Sequence, residues 1–171
     1  MVVQPAVVLI TPGSIRDGLE AKIIEDILGV TGLGFELAKN VRLKESDLLA
    51  MYSRISGRKF FEPLAYNLTV ADSLLVVVRG TDPFALLRQV KGVFRERDGG
   101  EWIETSGLRL KYQTPDRQGL KVMGFHGSDI EVRMRDFRLH CPDSAAESML
   151  LLKKVMPLKS YLILERTIGL L

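Results

Sequence analysis

The sequence predicts an α+β domain of the split βαβ type, an antiparallel sheet with helices packed on it. Three observations carry this. AVVLI (6–10) and SLLVVV (73–78) are short, continuous apolar runs that stop at turn residues, as buried strands do. Each is followed by a segment whose apolar residues recur at helical spacing. The order along the chain is strand–helix–strand, then strand–helix, then a late strand, which is the ferredoxin-like order. That architecture hosts many activities and selects none by itself.

Thr11-Pro12-Gly13 closes the first strand. Leu19, Ile23, Ile24, Ile27 and Leu28 then line one helix face, with Gly29 and Gly32 available to end it. Phe35, Leu37, Val41 and Leu43 alternate with mostly polar residues, which predicts a strand with one buried face. Ser46-Asp47 predicts the cap of a short helix reaching Tyr52, and a second short helix is predicted over 60–68. After SLLVVV, Asp82-Pro83 reads as a cap plus a proline at the first helical position, followed by Leu86, Leu87, Val90 and Val93 on one face. RERDGGEW (95–102) reads as a loop, TSG (105–107) as the turn of a small hairpin, and 113–118 as a further turn-rich stretch. Ile130, Val132 and Met134 alternate with Glu131, Arg133 and Arg135, predicting a strand that is interrupted at Asp136-Phe137 and ends at His140. Ser144 and Glu147 fit a capping box that opens a last apolar helix with Lys153-Lys154 at its end. The helices are expected on one face of the sheet. There is no internal repeat, so the expectation is a single domain over 1–171.

Composition narrows the function classes. Hydrophobic content of 46% and charged content of 26% are ordinary for a soluble domain with a sizeable core. A net charge of +3 mildly favours anionic ligands such as phosphates without specifying nucleic acid. Cys141 is the single cysteine, so no internal disulfide forms. No apolar run approaches the roughly 20 residues of a membrane span, and MVVQPAVVLI lacks the basic start of a signal peptide, so a cytoplasmic location is expected. Two histidines and one cysteine offer no zinc spacing, and a Walker-type glycine loop is absent. Nucleic-acid binding on the sheet would require aromatic residues interleaved with basic ones, which Phe35 and Trp102 do not supply.

The two histidines are the candidates for chemistry. His126 sits in a loop entering a strand. His140 sits between a strand end and a helix N-terminus, where free backbone N–H groups and the positive dipole end suit a phosphoryl group. The competing reading is a capping or surface histidine.

Several stretches resemble the nucleoside diphosphate kinase family. TPGSIRDGLEAKII is similar to the family's opening K-P-D-x-V-x-x-G-L, YSRISGRKFFEPL to its segment between the sheet halves, and GTDPFALLRQVKG to its next strand and helix. The resemblance runs from Ala6 to Gly92, lapses, and resumes from Arg138 to Pro157, which implies an inserted segment around 94–136. It implies a γ-phosphoryl transfer from a nucleoside triphosphate to a diphosphate through a phosphohistidine, with magnesium brought by the nucleotide and a homo-oligomer as the assembly. In the family the histidine stands in N-x-x-H-G-S-D-S-x-E-S. His126 carries the literal HGSD, whereas His140 carries the context: a strand before it and DSAAES, a helix and a tail after it. His140 is therefore the implied nucleophile, with His126 as the alternative. The resemblance further assigns Tyr52 to orienting the histidine or contacting phosphate. It assigns Arg58 and Arg88 to the phosphates, Phe60 to stacking on the base and Leu64 to an apolar base contact.

The departures from that pattern are specific. The family's phosphate-gripping lysine is Thr11 here, and losing one such charged contact typically costs ~10²–10³ in rate. The family's threonine falls on Phe94, its asparagine on Phe137, and its Gly-Ser after the histidine on Cys141-Pro142. The glutamate that orients the histidine falls near Leu151 or Leu152. The second arginine has Arg109, Arg117 and Arg133 as candidates, and Arg16, Lys59 or Arg109 are available as substitutes. Two functions follow: an enzyme of this family, or a catalytically impaired nucleotide-binding or assembly module on the same fold.

Overall fold

The computed structural model describes residues 3–57, 61–92, 94–96, 102–104, 106–112, 120–123, 129–132 and 138–156, with the backbone alone for 94–96, 102–104, 120–123 and 129–132. The elements up to the second long strand are β1 (Val3–Ile10), α1 (Pro12–Arg16), α2 (Glu20–Thr31), β2 (Gly34–Val41), α3 (Glu45–Met51), α4 (Phe61–Thr69) and β3 (Ser73–Thr81). After them come α5 (Pro83–Lys91), β4 (Phe94–Glu96), β5 (Trp102–Glu104), α6 (Gly107–Lys111), β6 (Leu120–Met123), β7 (Asp129–Val132), β8 (Leu139–His140) and α7 (Ala145–Leu152).

β1 and β3 are the apolar runs, and they pair antiparallel along their whole length, from Val3 opposite Thr81 to Ile10 opposite Leu74. The main sheet has the order β2-β3-β1-β8, all antiparallel, which is the ferredoxin-like arrangement expected. Helices cover both faces rather than one. Val7, Leu9, Leu75 and Val77 pack with α3, α4 and α7 through Leu48, Leu64, Leu68, Met149 and Leu152. Ala6, Val8, Ile10, Val76 and Val78 pack on the other side with α2, α5 and α6 through Ile23, Ile27, Leu87 and Leu108. The reason lies in the strands: an uninterrupted apolar run points greasy side chains both ways, and each face must be covered.

Several local expectations change. β2 is an edge strand, and its only fully buried residue is Val41. Phe35 is 52% exposed, and the register slips between Phe35 and Leu37. Lys44, not Ser46, takes the position before α3, where the Asp47 carboxylate accepts its backbone N–H at 2.8 Å. The predicted loop at 95–102 supplies parts of two strands, because β4 and β5 pair as a hairpin, and the TSG turn leads into α6 instead of a strand. β7 pairs with β6 in a separate sheet, so β8 is not its continuation. Gly92 and Gly107 meet backbone to backbone at the base of the hairpin. A Cβ on Gly92 would lie 1.8 Å from the Ser106 carbonyl oxygen, and its φ is +88.

β8 is only two residues long and covers β1 at Leu9 and Ile10 alone. Further along that side of β1, the Val7 N–H donates to the Ser148 hydroxyl of α7 at 3.1 Å. Ser148 is buried, so the helix supplies the partner that a longer strand would have supplied. Together with Lys154–Asp47 at 2.8 Å, this fixes α7 over the sheet and against α3.

Candidate active site

β8 aims His140. Its strand neighbours Leu139 and Cys141 belong to the α2/α5 core, so strand alternation turns His140 to the opposite face, beside its cross-strand partner Leu9. That is the face of α3 and α7. Tyr52, which terminates α3, and Glu147, in the first turn of α7, meet the ring from either side.

The Tyr52 hydroxyl is 2.9 Å from His140 Nδ1, and the two rings meet edge-on with centroids 5.3 Å apart. On the other side, Glu147 Oε1 is 2.8 Å from Nε2. His140 is 4% exposed. Burial pushes its pKa below the usual value, Glu147 opposes that shift, and Arg109 and Lys91 add to it. Burial, followed by the negative charge of Glu147, raises the Tyr52 phenol, which stays protonated. Burial also works against ionising Glu147, but contact with His140 outweighs it and the carboxyl is held below its ordinary value. A neutral imidazole between a phenol and a carboxylate keeps its proton on Nε2 and its lone pair on Nδ1.

The loop after His140 gathers charge. Ser144 caps α7 by accepting the Glu147 N–H at 3.2 Å. The second half of the predicted box is redirected: Glu147 Oε2 accepts the Asp143 N–H at 2.9 Å, which leaves Oε1 for the histidine. The Asp143 carboxylate meets Lys91 Nζ, and the Lys91 ammonium also donates to the Cys141 carbonyl at 2.9 Å. Arg88 donates to the Asp143 carbonyl at 2.7 Å, and its Nε is 3.6 Å from the same carboxylate. Arg109 of α6 is 7% exposed and lies within electrostatic reach of His140, Tyr52 and Cys141. Burial pushes the Cys141 thiol up to about 12, so it is not a competing nucleophile.

Among the residues singled out from sequence, His140, Tyr52, Arg88 and Arg109 come together. Thr11 is buried where β1 turns into α1, its N–H donating to the Arg138 carbonyl at 3.1 Å. Leu64 is a core residue, 6% exposed and packed under the sheet with Leu9 and Val77. Arg16 is half exposed and pairs with Asp17 at 2.8 Å. His126, Arg58, Phe60, Lys59, Arg117, Arg133 and Phe137 lie outside the described residues. Two residues went unrecognised as site residues. Glu147 was read only as a cap, yet its carboxylate stands 2.8 Å from His140 Nε2, whereas Leu151 and Leu152, where the orienting glutamate was sought, are core residues. Lys91, in the last turn of α5, is 5% exposed. The signal for Glu147 was its position one helical turn past the loop that follows His140. No sequence pattern marked Lys91 as buried.

The family model for nucleoside diphosphate kinase matches residues 4–146. A nucleoside diphosphate kinase of Actinobacillus pleuropneumoniae is 27% identical over 129 residues, 75% of this chain and 87% of that protein. One from Campylobacter curvus is 28% identical over 126 residues, 74% and 85% of the two chains. In fold, the nucleoside diphosphate kinase of Aquifex aeolicus superposes with a TM-score of 0.64 at 15% identity, covering 92% of this chain and 98% of the other. That of Borrelia burgdorferi, solved with vanadate and ADP as a transition-state mimic, gives 0.64 at 17% identity over 92% and 89%. With the family model matched over residues 4–146, most of its length, this chain belongs to the nucleoside diphosphate kinase family.

Proposed function

We propose that the protein moves the γ-phosphoryl group of a nucleoside triphosphate to a nucleoside diphosphate through His140. The observation that carries this reading is the setting of one ring: a neutral imidazole with Tyr52 at Nδ1, Glu147 at Nε2 and three cations alongside. In the first half-reaction the Nδ1 lone pair attacks the γ-phosphorus. The bond to the bridging oxygen breaks, and the diphosphate leaves with the electron pair. The ring, bonded to phosphorus at Nδ1 and protonated at Nε2, is then positive, and the Glu147 carboxylate offsets that charge. In the second half-reaction a terminal oxygen of another diphosphate attacks the same phosphorus, the P–N bond breaks, and neutral imidazole returns. The Tyr52 hydroxyl turns from Nδ1 to a phosphoryl oxygen as the bond forms.

Arg88 and Arg109 are assigned to the phosphate oxygens, with Arg58 beside them and Phe60 stacking on the base, as the family resemblance implies. Among the described residues no three imidazole, thiol or carboxyl groups converge on one point. Magnesium, which the family resemblance implies, would be held by the polyphosphate itself, where it would supply charge neutralisation. A homo-oligomer and a cytoplasmic location belong to the same proposal. Among the described residues, no helix is long and apolar enough to cross a membrane.

A second reading, a nucleotide-binding module without turnover, draws on one feature: His140 is 4% exposed and the Tyr52 hydroxyl covers Nδ1. Incubation with γ-labelled ATP separates the two. The phosphotransfer reading predicts an acid-labile, base-stable phosphoprotein that His140→Ala abolishes and His126→Ala retains. Nucleotide binding without label selects the module, and label lost with His126→Ala moves the nucleophile there.

A further inference from the structure

Lys91 is an unusual lysine. It ends α5, yet it is 5% exposed, and a buried ammonium is costly unless its donors are engaged. Two of its three N–H groups are committed, one to the Cys141 carbonyl and one to the Asp143 carboxylate. Neither partner is part of α5, and both lie within three residues of His140 in sequence. The Asp143 side chain that completes the pair is 62% exposed, whereas the Lys91 side chain is 6% exposed. The same carboxylate also stands 3.6 Å from Arg88 Nε. One solvent-exposed anion is thus shared between a buried cation and an exposed arginine, beside the candidate nucleophile. A phosphate oxygen makes the same two contacts with more charge.

We propose that Lys91 is a phosphate-gripping residue of this chain, held in place by the Asp143 carboxylate, which incoming phosphate oxygens displace from Lys91 and Arg88. The proposal rests on the phosphotransfer reading for its consequence in rate, and on nucleotide binding alone for its displacement step. Asp143 swings outward to water at little cost because it is already largely exposed. Lys91 stays fixed by the Cys141 carbonyl and meets the arriving group with its freed N–H. It brings a positive charge to a site whose sequence has threonine, Thr11, where the family has its lysine.

The test uses the full chain with Lys91→Met, Lys91→Arg and Asp143→Asn, each first checked by thermal unfolding. Binding is measured by calorimetry with ADP and a non-hydrolysable ATP analogue, and phosphorylation by single-turnover labelling with γ-labelled ATP. Lys91→Met is expected to weaken the ATP analogue more than ADP and to slow labelling by ~10²–10³. Lys91→Arg is expected to recover part of both. Asp143→Asn, which keeps the shape but not the charge, is expected to tighten binding of the analogue severalfold. If folded Lys91→Met binds the analogue like the parent, or Asp143→Asn weakens binding, the proposal is overturned and Lys91 is a brace for the loop. If Lys91→Met fails to fold, Asp143→Asn and Lys91→Arg carry the decision alone: weaker binding with the first, or a binding loss with the second as great as that of His140→Ala, overturns it. Failure of the phosphotransfer reading has a different signature, an unlabelled parent protein whose binding still responds to Lys91 and Asp143.

Discussion

Replacing Glu147 by glutamine tests the electrostatic core of the site without changing its shape. The Glu147 oxygen 2.8 Å from Nε2 becomes a neutral amide oxygen, while the amide NH2, a donor, replaces the oxygen that accepted the Asp143 N–H, so that hydrogen bond is lost with the charge. The carboxylate acts on the ring through its negative charge and its contact with Nε2. Unit charges about 4 Å apart interact by about 4 kcal/mol at an effective dielectric of ~20. With about half of the ring's positive charge developed in the transition state, the loss is about 2 kcal/mol, or ~30-fold in the phosphorylation rate. The assay is single-turnover labelling from γ-labelled ATP across pH. Because burial lowers the His140 pKa, the parent's rate plateau extends to the acid side of an ordinary histidine and falls as pH drops through the folded-state pKa. Glu147 is the group that opposes this lowering, so Glu147→Gln moves the acid limb to still lower pH while reducing the plateau. An unchanged plateau, or an acid limb displaced upward, would refute the reasoning.

Two further changes test the frame that holds the site. Ser148→Ala leaves the buried Val7 N–H without its partner and is expected to cost about 1–3 kcal/mol, read as a lower urea midpoint at constant slope. Gly92→Ala places a methyl into the Ser106 carbonyl at a positive φ and is expected to destabilise by more than about 2 kcal/mol in the same assay; a neutral result would mean the base of the hairpin is not closed there.

The strongly patterned elements were legible in the sequence because local chemistry decided them. AVVLI and SLLVVV are apolar on both sides and became central strands, and Asp82-Pro83 capped α5 with the aspartate side chain accepting the Ala85 N–H. β2 misled because its alternation was read as one buried face, while its place at the sheet edge, decided by partners distant in sequence, leaves Phe35 in water. Residues 94–104 misled because glycine and charge mark turns well but say nothing of which flanking residues pair. In the site, Tyr52, His140 and Arg88 were legible through resemblance. Glu147 was legible as a cap and not as an orienting group, because its two oxygens divide between the Asp143 N–H and the imidazole only once β8 and α7 are packed together. Lys91 was hidden for the same reason: its burial comes from the loop that folds over it, 50 residues further along the chain.

The central claim is that the lone pair on Nδ1 of His140, opposite the Glu147 carboxylate, takes the phosphoryl group. It is tested most directly by ³¹P and ¹⁵N NMR of ring-labelled protein after reaction with ATP. The account predicts phosphorus bonded to Nδ1 of His140 with the proton retained on Nε2. Phosphorus on Nε2, or on any other side chain, would contradict it.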